Sequence, residues 1–466
     1  MDTKSCLRPV IDSGNILDYR FAWRWLLPLQ GCESYRLYGF NKEEKRFWNK
    51  VLKSNCVVTG QVIADILMLN SDCSENKERP TDNDFDDSNM VCVIGSRSSV
   101  KRWRAVLSQK FPQIREYGLL PTSNPRIVVP LSNTRYAEIA LSLHRPGRLI
   151  ARWGIGAARL LARWGITFPL KRRVLLIGVR KQLSIPIGVI QANELEILPE
   201  QDLDYALYLG VSGENRKTVV LPIFSAKPEV ILKVGESQGA RQSLLNEVAV
   251  LQGLYDSSIA SNVPRLIKIK DTKSALTLFQ EYRARQQVAE RLSEAAIIDF
   301  LGQLSTIERK LCTLDSVLEN ITSPEPIESN KNIVSDVVRA IWSRLSAQAD
   351  KGINVWQHRS HGDFAPWNIS WTDKGLFVYD WEESRDQDLA FSDAFYFVVG
   401  KAVHIGRQPN PARTLRATLK FAQRVVVATG FNNVDLNTYF ALWALRRIDL
   451  APIYVEMLRM HLANWE

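Results

Sequence analysis

The sequence predicts an α+β protein in which an α/β, Rossmann-like N-terminal domain precedes a two-lobed part, a small antiparallel sheet followed by a helical lobe. Three observations favour this class. Strand-like and helix-like runs alternate over residues 1–195, short strand-like runs follow one another over 196–284, and helical periodicity dominates 285–466. We therefore expect three regions with these boundaries, a number that suits a chain of 466 residues.

The composition is that of a globular protein, and the charge indicates an anionic partner. The net charge of +10 fits a nucleotide, a nucleic acid or an acidic membrane surface, and does not choose among them. No nucleic-acid-binding module is recognisable, so we expect no nucleic-acid partner. Scattered cysteines, an N-terminus unlike a signal peptide and the lack of a long apolar run favour a cytoplasmic protein.

The first region has the pattern of alternating strands and helices. Strands are predicted within 57–69 and at Met90–Gly95, and a helix over Ser96–Phe111 with Ser98 or Ser99 as its cap. The polar, acidic stretch 71–88 is expected to be a solvated loop.

A nucleotide-binding turn is poorly represented in this region. The turn Tyr38-Gly39-Phe40-Asn41 has one glycine, whereas a dinucleotide or adenosyl fingerprint needs several. The segment 18–29 and the residues after it resemble a methyltransferase-like domain that has lost its glycine-rich loop. The sequence assigns this domain no activity.

An internal repeat with an offset of 11 residues lies within 145–173, where Leu149–Ile155 recurs as Leu160–Ile166. Three helical turns separate the copies, so equivalent side chains share one face. The segment is basic, which leaves two interpretations open: an amphipathic helix on an anionic membrane over 148–173, or a surface helix packed on its own domain. Three glycines weaken the helix prediction.

The strongest functional signal is His361-Gly362-Asp363-Phe364-Ala365-Pro366-Trp367-Asn368. A carboxylate that takes a hydroxyl proton and a carboxamide that reaches a phosphate-bound metal are needed about one loop-turn apart, and Asp363 and Asn368 have this spacing. An apolar strand then ends at Asp380, which would return a second carboxylate beside Asn368. Such oxygen ligands suit Mg²⁺.

This motif, together with Val378–Glu383 and Asp388–Asp393, resembles the aminoglycoside phosphotransferase family, which shares its fold with choline kinases and, more distantly, protein kinases. The resemblance covers about residues 200–466 and implies a protein-kinase-like fold. It also implies that Asp363 is the catalytic base, that Asn368 and Asp380 bind Mg²⁺, and that Asp393 supports the loop.

The region before this motif offers a nucleotide site. Lys233 stands inside an apolar strand and Glu247 on the following helix, as in the kinase lysine–glutamate pair that holds the phosphates of ATP. Gly210 and Gly213 lie in a turn that either covers the phosphates or is an ordinary hairpin. Residues Gln280 to Tyr282 follow a strand, and the resemblance implies that their backbone binds adenine.

The sequence does not determine which small molecule accepts the phosphoryl group. Glu382, Glu383, Asp386 and Asp388 could form an acidic surface for an aminoglycoside, and an aromatic cage could bind choline. The candidates for that cage, which are more often core residues, are Trp381, Phe395, Tyr396, Tyr439 and Trp443. A sugar, a nucleotide-sugar or a glycolipid headgroup is also possible.

The sequence thus predicts an ATP- and Mg²⁺-dependent phosphotransferase acting on a small-molecule hydroxyl. The competing hypothesis is a catalytically silent, nucleotide-binding scaffold that organises the N-terminal domain or a membrane contact. The intact Asp363, Asn368, Asp380 and Lys233 favour the enzyme, since a scaffold needs no base. The oligomeric state is not predicted.

Overall fold

The computed structural model describes residues 26, 35–53, 66–72, 80, 82–86, 88–122, 125–143, 149–180, 204–210, 213–223, 228–272, 275–284, 293–321, 331–405, 409–431, 434–448 and 451–465. The chain divides into two compact units. Unit 1 comprises Met1–Leu244 and Leu266–Ala284, and unit 2 comprises Leu245–Arg265 and Arg285–Glu466.

Unit 1 is built on one sheet of 11 strands with helices beside it. Its elements are β1 (Tyr35–Tyr38), α1 (Lys42–Lys53), β2 (Ile66–Asn70), α2 (Asp82–Asp86), β3 (Met90–Ser96), α3 (Arg97–Lys110), β4 (Gln113–Leu120), β5 (Ile127–Pro130), α4 (Thr134–Ser142), α5 (Leu149–Arg163), β6 (Arg173–Val179), β7 (Asp204–Leu209), β8 (Lys217–Ile223), β9 (Val230–Gly235), β10 (Leu266–Asp271) and β11 (Leu276–Glu281). Helix α6 (Gln238–Gly253) begins in unit 1 and ends in unit 2.

The sheet runs in the order β1-β2-β3-β6-β4-β5-β7-β8-β9-β11-β10. Strands β1, β2 and β3 are parallel, and every other described pairing in this sheet is antiparallel. The parallel, helix-linked part predicted for the N-terminal region is therefore limited to three strands, and a Rossmann-like domain over the whole of 1–195 stays a prediction.

The N-terminal strands and the strands expected to form the nucleotide-binding lobe share this sheet. Strand β5 pairs with β7 through Ile127 opposite Tyr208 and Val128 opposite Leu207. Two predicted regions are thus joined by backbone pairing, and one apolar cluster continues from Ile66 to Phe279. The boundary at residue 195 lies outside the described residues and stays a prediction.

Details of the first helices correct two sequence-based expectations. The cap of α3 is Ser96, whose side chain accepts a hydrogen bond from Ser99 N, and not Ser98 or Ser99. The stretch 71–88 is not only a solvated loop, because it contains α2, whose Phe85 is buried 5.5 Å from the ring of Trp103. Phe85 thus joins a hydrophobic cluster that its acidic neighbours in sequence do not reveal.

Unit 2 is mainly helical, as predicted. Its further elements are α7 (Glu294–Leu304), β12 (Lys310–Thr313), α8 (Leu314–Glu319), α9 (Lys331–Ala349), β13 (Asn354–Ser360), β14 (Ile369–Thr372), β15 (Gly375–Val378), β16 (Arg385–Leu389), α10 (Ser392–Ile405), α11 (Pro411–Thr429), α12 (Leu436–Leu445) and α13 (Pro452–Ala463). Strands β12, β13 and β16 form one small sheet, and β14 pairs with β15 as a hairpin. These two sheets position the loops that carry the site.

Candidate active site

The loop that carries the predicted catalytic motif follows β13 and is closed by hydrogen bonds of Asn368. Its side-chain Nδ2 donates to Asp363 O over 3.0 Å and to Asp363 Oδ2 over 2.8 Å. Its backbone N donates to Ala365 O, and its carbonyl accepts from Tyr379 N at the end of the next hairpin. The structure therefore brings Asp363 and Asn368 together, with the amide Oδ1 as the remaining side-chain acceptor.

A buried carboxylate stabilises the start of this loop through hydrogen bonds. Asp393, in the first turn of α10, accepts hydrogen bonds from His361 N (2.7 Å) and Gly362 N (3.0 Å). Gly362 has a φ of 84°, and a side chain there would collide with the carbonyl of Glu383. Glycine is thus required both by conformation and by space. Burial raises the pKa of Asp393 to about 7.

The histidine of the motif has a structural role. Asp363 N donates to His361 Nδ1 over 3.2 Å, so this nitrogen is an acceptor and Nε2 is left to donate to Tyr379 O at 3.1 Å. The ring is fully buried, with its centroid 4.6 Å from that of Trp381. His361 therefore holds the loop in the neutral tautomer and connects it to the strand that precedes Asp380.

The environment of Asp363 suits a proton acceptor. Burial raises the pKa of its carboxyl, and the neighbouring carboxylate of Asp380 acts in the same direction. Hydrogen bonds from Tyr396 and Asn368 oppose this rise. A carboxylate whose pKa is raised is a stronger base than an exposed aspartate.

Asp380 lies at the end of the β14–β15 hairpin in a left-handed conformation, with φ 75° and ψ 58°. Aspartate tolerates this region better than most residues. The conformation places its carboxylate near those of Glu247 and Glu382, and one oxygen from each lies within 4.8 Å of the others. Glu247 is completely buried.

This carboxylate cluster fits a divalent cation. Three acidic oxygens at such distances repel one another unless positive charge or donors compensate, and hard oxygen ligands are what Mg²⁺ prefers. Asp380, Glu247 and Glu382 would hold the ion, with Asn368 Oδ1 as a further oxygen donor. The predicted metal residue Asp380 is thus clustered with two glutamates that the sequence did not assign to a metal.

The predicted nucleotide residues of unit 1 fall on one sheet. Lys233 is buried in β9 opposite Leu278 of β11 and Val219 of β8. Gln280 is also buried, and its register partner Ile231 is two residues from Lys233, so both side chains lie on the same face. The predicted pair of Lys233 with Glu247 stays a prediction, since these residues belong to different units.

One buried polar atom on this face, which lacks a hydrogen-bond partner among the described residues, supports the prediction that a nucleotide base binds here. Gln280 Oε1 is buried and has no hydrogen-bond partner among the described residues. An unsatisfied buried amide is costly, and a ligand that hydrogen-bonds it would remove that cost. Tyr282 N, at the end of the same strand, donates to Glu229 O over 2.7 Å and its hydroxyl lies 3.4 Å from Ser142 Oγ.

The turn with Gly210 and Gly213 joins β7 to β8. Gly210 N donates to Lys217 O over 2.9 Å, and Gly213 has a φ of 155°. The turn packs on the start of α6, where Ser237 Oγ donates to Glu214 O and a side chain at Gly239 would collide with Asn215. It is therefore a true hairpin turn, and its role over phosphates stays a prediction.

Of the two acceptor features expected from sequence, the acidic surface stays a prediction, with Glu383 and Asp386 exposed, and the aromatic cage is not assembled. Asp388 is buried and pairs with Arg446 at 3.0 Å, and Asp386 pairs with Arg359 at 2.6 Å. Four of the five candidate cage aromatics are buried in the core, namely Trp381, Phe395, Tyr439 and Trp443. Only Tyr396 is half-exposed, and it hydrogen-bonds Asp363. An aromatic cage for a quaternary ammonium is therefore not formed by these residues.

Sequence reasoning missed the roles of Tyr396 and Glu382. Tyr396 is in α10, four residues after the start of the helix, and the helical spacing alone does not show which side chain faces Asp363. Glu382 follows Asp380 by two positions in a short 3₁₀ helix, which turns both carboxylates toward Glu247. A signal for Glu382 is present in the run Asp380-Trp381-Glu382, although it fits an acidic surface equally well.

The loop and the hairpin lie within a region that matches a known family. Residues 214–420 match the model of the Phosphotransferase enzyme family. No curated protein sequence matches the chain. Among solved structures, ADP-bound aminoglycoside phosphotransferase APH(2'')-Ib is 14% identical over 58% of this chain and 94% of its own, with a TM-score of 0.37.

Two other solved structures have similar values. APH(3'')-Id from Streptomyces rimosus is 12% identical over 54% of this chain and 92% of its own, with a TM-score of 0.34. Spectinomycin phosphotransferase APH(9)-Ia, in complex with ADP and spectinomycin, is 14% identical over 56% and 89%, with a TM-score of 0.32.

The strand with the buried Lys233 and the loop that joins Asp363 to Asn368 both lie within the matched residues. The match also includes the strand that ends at Asp380. Over residues 214–420 this chain is therefore similar to the phosphotransferase enzyme family.

Proposed function

We propose that this protein is an ATP- and Mg²⁺-dependent phosphotransferase that transfers the γ-phosphoryl group to a hydroxyl of a small molecule. The observation that carries the proposal is the Asp363–Asn368 hydrogen bond of 2.8 Å in a loop of the matched family region. A binding scaffold has no need for a carboxylate whose pKa is raised and whose orientation is fixed by a neighbouring amide.

The residues divide the chemistry among them. Asp363 orients the acceptor hydroxyl and accepts its proton as the oxygen attacks phosphorus. Lys233 neutralises charge on the nucleotide phosphates, and Gln280 and Tyr282 hold the base. Bound Mg²⁺ would supply positive charge at the phosphate oxygens. Catalysis by these groups is mainly positioning and electrostatic stabilisation.

As the acceptor we propose a sugar or a glycolipid headgroup. A choline-like acceptor is disfavoured because the candidate cage aromatics are core residues. A polycationic aminoglycoside is supported less, because Asp388 is buried and paired with Arg446 and Glu382 lies in the carboxylate cluster, which leaves the exposed Glu383 and Asp386. Polyhydroxylated acceptors need neither feature and present several hydroxyls to Asp363.

The first test is the melting temperature of the protein with ATP, with and without Mg²⁺. A ligand that binds only the folded state raises the melting temperature. We expect a Mg²⁺-dependent rise of several degrees in the wild type and its loss in Asp380→Ala. Asp373→Ala is the matched control, because Asp373 is an exposed aspartate in the turn of the same β14–β15 hairpin.

The outcome separates the enzyme from a silent scaffold in two steps. An unchanged melting temperature at saturating ATP and Mg²⁺ would contradict the proposed nucleotide site. A normal rise in melting temperature without phosphate transfer to any of a panel of sugars, glycolipids, aminoglycosides and choline would favour the scaffold.

A cytoplasmic location stays a prediction. Among the described residues, the length and hydropathy of the helices do not fit a membrane span.

A further inference from the structure

The segment that carries the internal repeat forms a helix with two apolar faces. Helix α5 packs inward through Ile155, Ala158 and Ala162, which join the cluster formed with α4 and β5. Its opposite side carries Trp153, which is 74% exposed, and Trp164, 67% exposed, follows directly after its last residue. A helix that only packs on its own domain explains the inner face and leaves the outer one without a reason.

Five of the eleven large exposed hydrophobic side chains among the described residues fall within residues 153–168. Trp153 and Leu160 lie seven residues apart and so share a face of α5. Trp164 follows directly after the helix, and its backbone N donates to Leu160 O over 3.2 Å. Ile166 and Phe168 extend the surface just after the helix, and Phe168 is 64% exposed. Large exposed aromatics gathered on one surface of a protein mark an interaction site. We call these five residues the aromatic ridge.

Glycines keep the aromatic ridge open. A side chain added at Gly154 or Gly156 would meet nothing within 4 Å, so packing within the described chain does not require glycine at either position. Both residues cost helix stability relative to alanine. The two glycines leave shallow depressions beside the tryptophans. This shape suits a lipid surface better than a protein partner with a complementary shape.

The charge around the ridge selects the partner. Between Glu138 and Glu194 the sequence has no acidic residue and ten basic ones, so the whole segment attracts anions. The Arg97 guanidinium lies 4.6 Å from the centroid of the Phe168 ring, and Arg172 is exposed nearby in sequence. Tryptophan beside arginine is the composition of segments that lie in the headgroup region of a bilayer.

We propose that the aromatic ridge is a peripheral docking surface for an anionic lipid bilayer. The tryptophans and Phe168 would enter the headgroup–acyl boundary while the arginines bind lipid phosphates. Because the binding is partly electrostatic, it weakens as salt screens the charges. This inference does not depend on the proposed phosphotransfer, since the ridge lies in unit 1 and uses none of the site residues.

The test is flotation of the full chain with lipid vesicles. We expect co-flotation with phosphatidylcholine vesicles containing phosphatidylglycerol, and at least tenfold weaker binding to phosphatidylcholine alone. The triple variant Trp153→Ala, Trp164→Ala, Phe168→Ala changes only exposed side chains and should lower binding about tenfold or more. Tyr255→Ala, which removes an equally exposed aromatic from unit 2, should bind as the wild type does.

A second variant and two contrary results make the test decisive. Arg97→Glu with Arg172→Glu should reduce binding to anionic vesicles and weaken its salt dependence. Binding that is unchanged in the triple variant would overturn the proposal. The proposal would also be overturned if the wild type did not bind vesicles but self-associated, or bound RNA, and the triple variant removed that interaction. Melting curves of each variant would confirm that the fold is intact.

Discussion

Two aspartates, one in each unit, follow β-strands and accept hydrogen bonds from their surroundings, yet they are suited to different tasks. In unit 1, Asp72 Oδ1 accepts from Ser96 N and from Ser99 Oγ, both at 2.7 Å, at the start of α3. In unit 2, Asp363 is held by one amide and by Tyr396 in a more buried place.

The two environments move the pKa in opposite directions. Partial burial raises the pKa of Asp72, but the hydrogen bonds from Ser96 and Ser99 outweigh it and lower the pKa overall. Burial dominates at Asp363 and raises its pKa. Asp72 is therefore a fixed anion that fills the positive end of α3 itself, whereas Asp363 can exchange a proton. The comparison explains why the proton acceptor is expected at Asp363 of unit 2 and not at Asp72 of unit 1.

The largest expected effect is on the proton acceptor. Asp363→Ala should lower phosphotransfer by about two to four orders of magnitude, the usual contribution of a general base, while ATP binding is largely kept. The measurement is the initial rate of ADP formation with the best acceptor, beside the ATP-induced rise in melting temperature. Asp373→Ala should keep both values, and loss of ATP binding in a folded Asp363→Ala protein would contradict the assigned role.

The next effect concerns the support of the loop. Because the pKa of Asp393 is raised in the folded state, its contribution to stability is complete below the unfolded value of about 4 and is lost as pH rises through about 7. The free energy of unfolding of the wild type, relative to Asp393→Asn, should therefore fall between these pH values. Chemical denaturation across this range measures it, and a flat difference would refute the raised pKa.

How far the sequence predicts this molecule depends on whether the interaction is local. Asp363 and Asn368 are in one short loop, so their spacing in the chain fixes their meeting, and the apolar strand before Asp380 shows where the next carboxylate returns. By contrast, the pairing of β5 with β7 joins residues 127 and 208, and no local pattern specifies it. The same holds for Phe85, whose burial depends on Trp103 of another helix.

At the site, too, the sequence does not predict hydrogen bonds between segments that are distant in the chain. The sequence suggests a core or cage aromatic at Tyr396, because helical periodicity does not reveal that its hydroxyl meets Asp363. It also places the cap of α3 two or three residues late, because the run Ser96, Ser98, Ser99 offers several candidates and Asp72 decides among them from another loop. Electrostatics at a site thus depend on tertiary placement more than on motif.

A smaller effect tests the hydrogen bond that opposes the raised pKa of Asp363. Tyr396→Phe removes a donor that lowers this pKa, so the carboxyl should become harder to ionise. Since the base works when deprotonated, the acid limb of the pH–rate profile should move to higher pH by up to about one unit. A profile of kcat/KM against pH measures the shift, and an unmoved acid limb would show that Tyr396 does not act on Asp363.

The smallest effect is expected at the other aspartate. Asp72→Asn removes the negative charge at the start of α3, and since the Asp72 side chain is only partly buried, the free energy of unfolding should fall by about 1 kcal/mol or less. Its pKa is lowered in the folded state, so the stabilisation is present above about pH 4 and disappears as pH falls through the folded value. Phosphotransfer should not change. A loss of activity in Asp72→Asn, at unchanged stability, would mean that the N-terminal strand ends serve the reaction and that the contrast between the two aspartates is wrong.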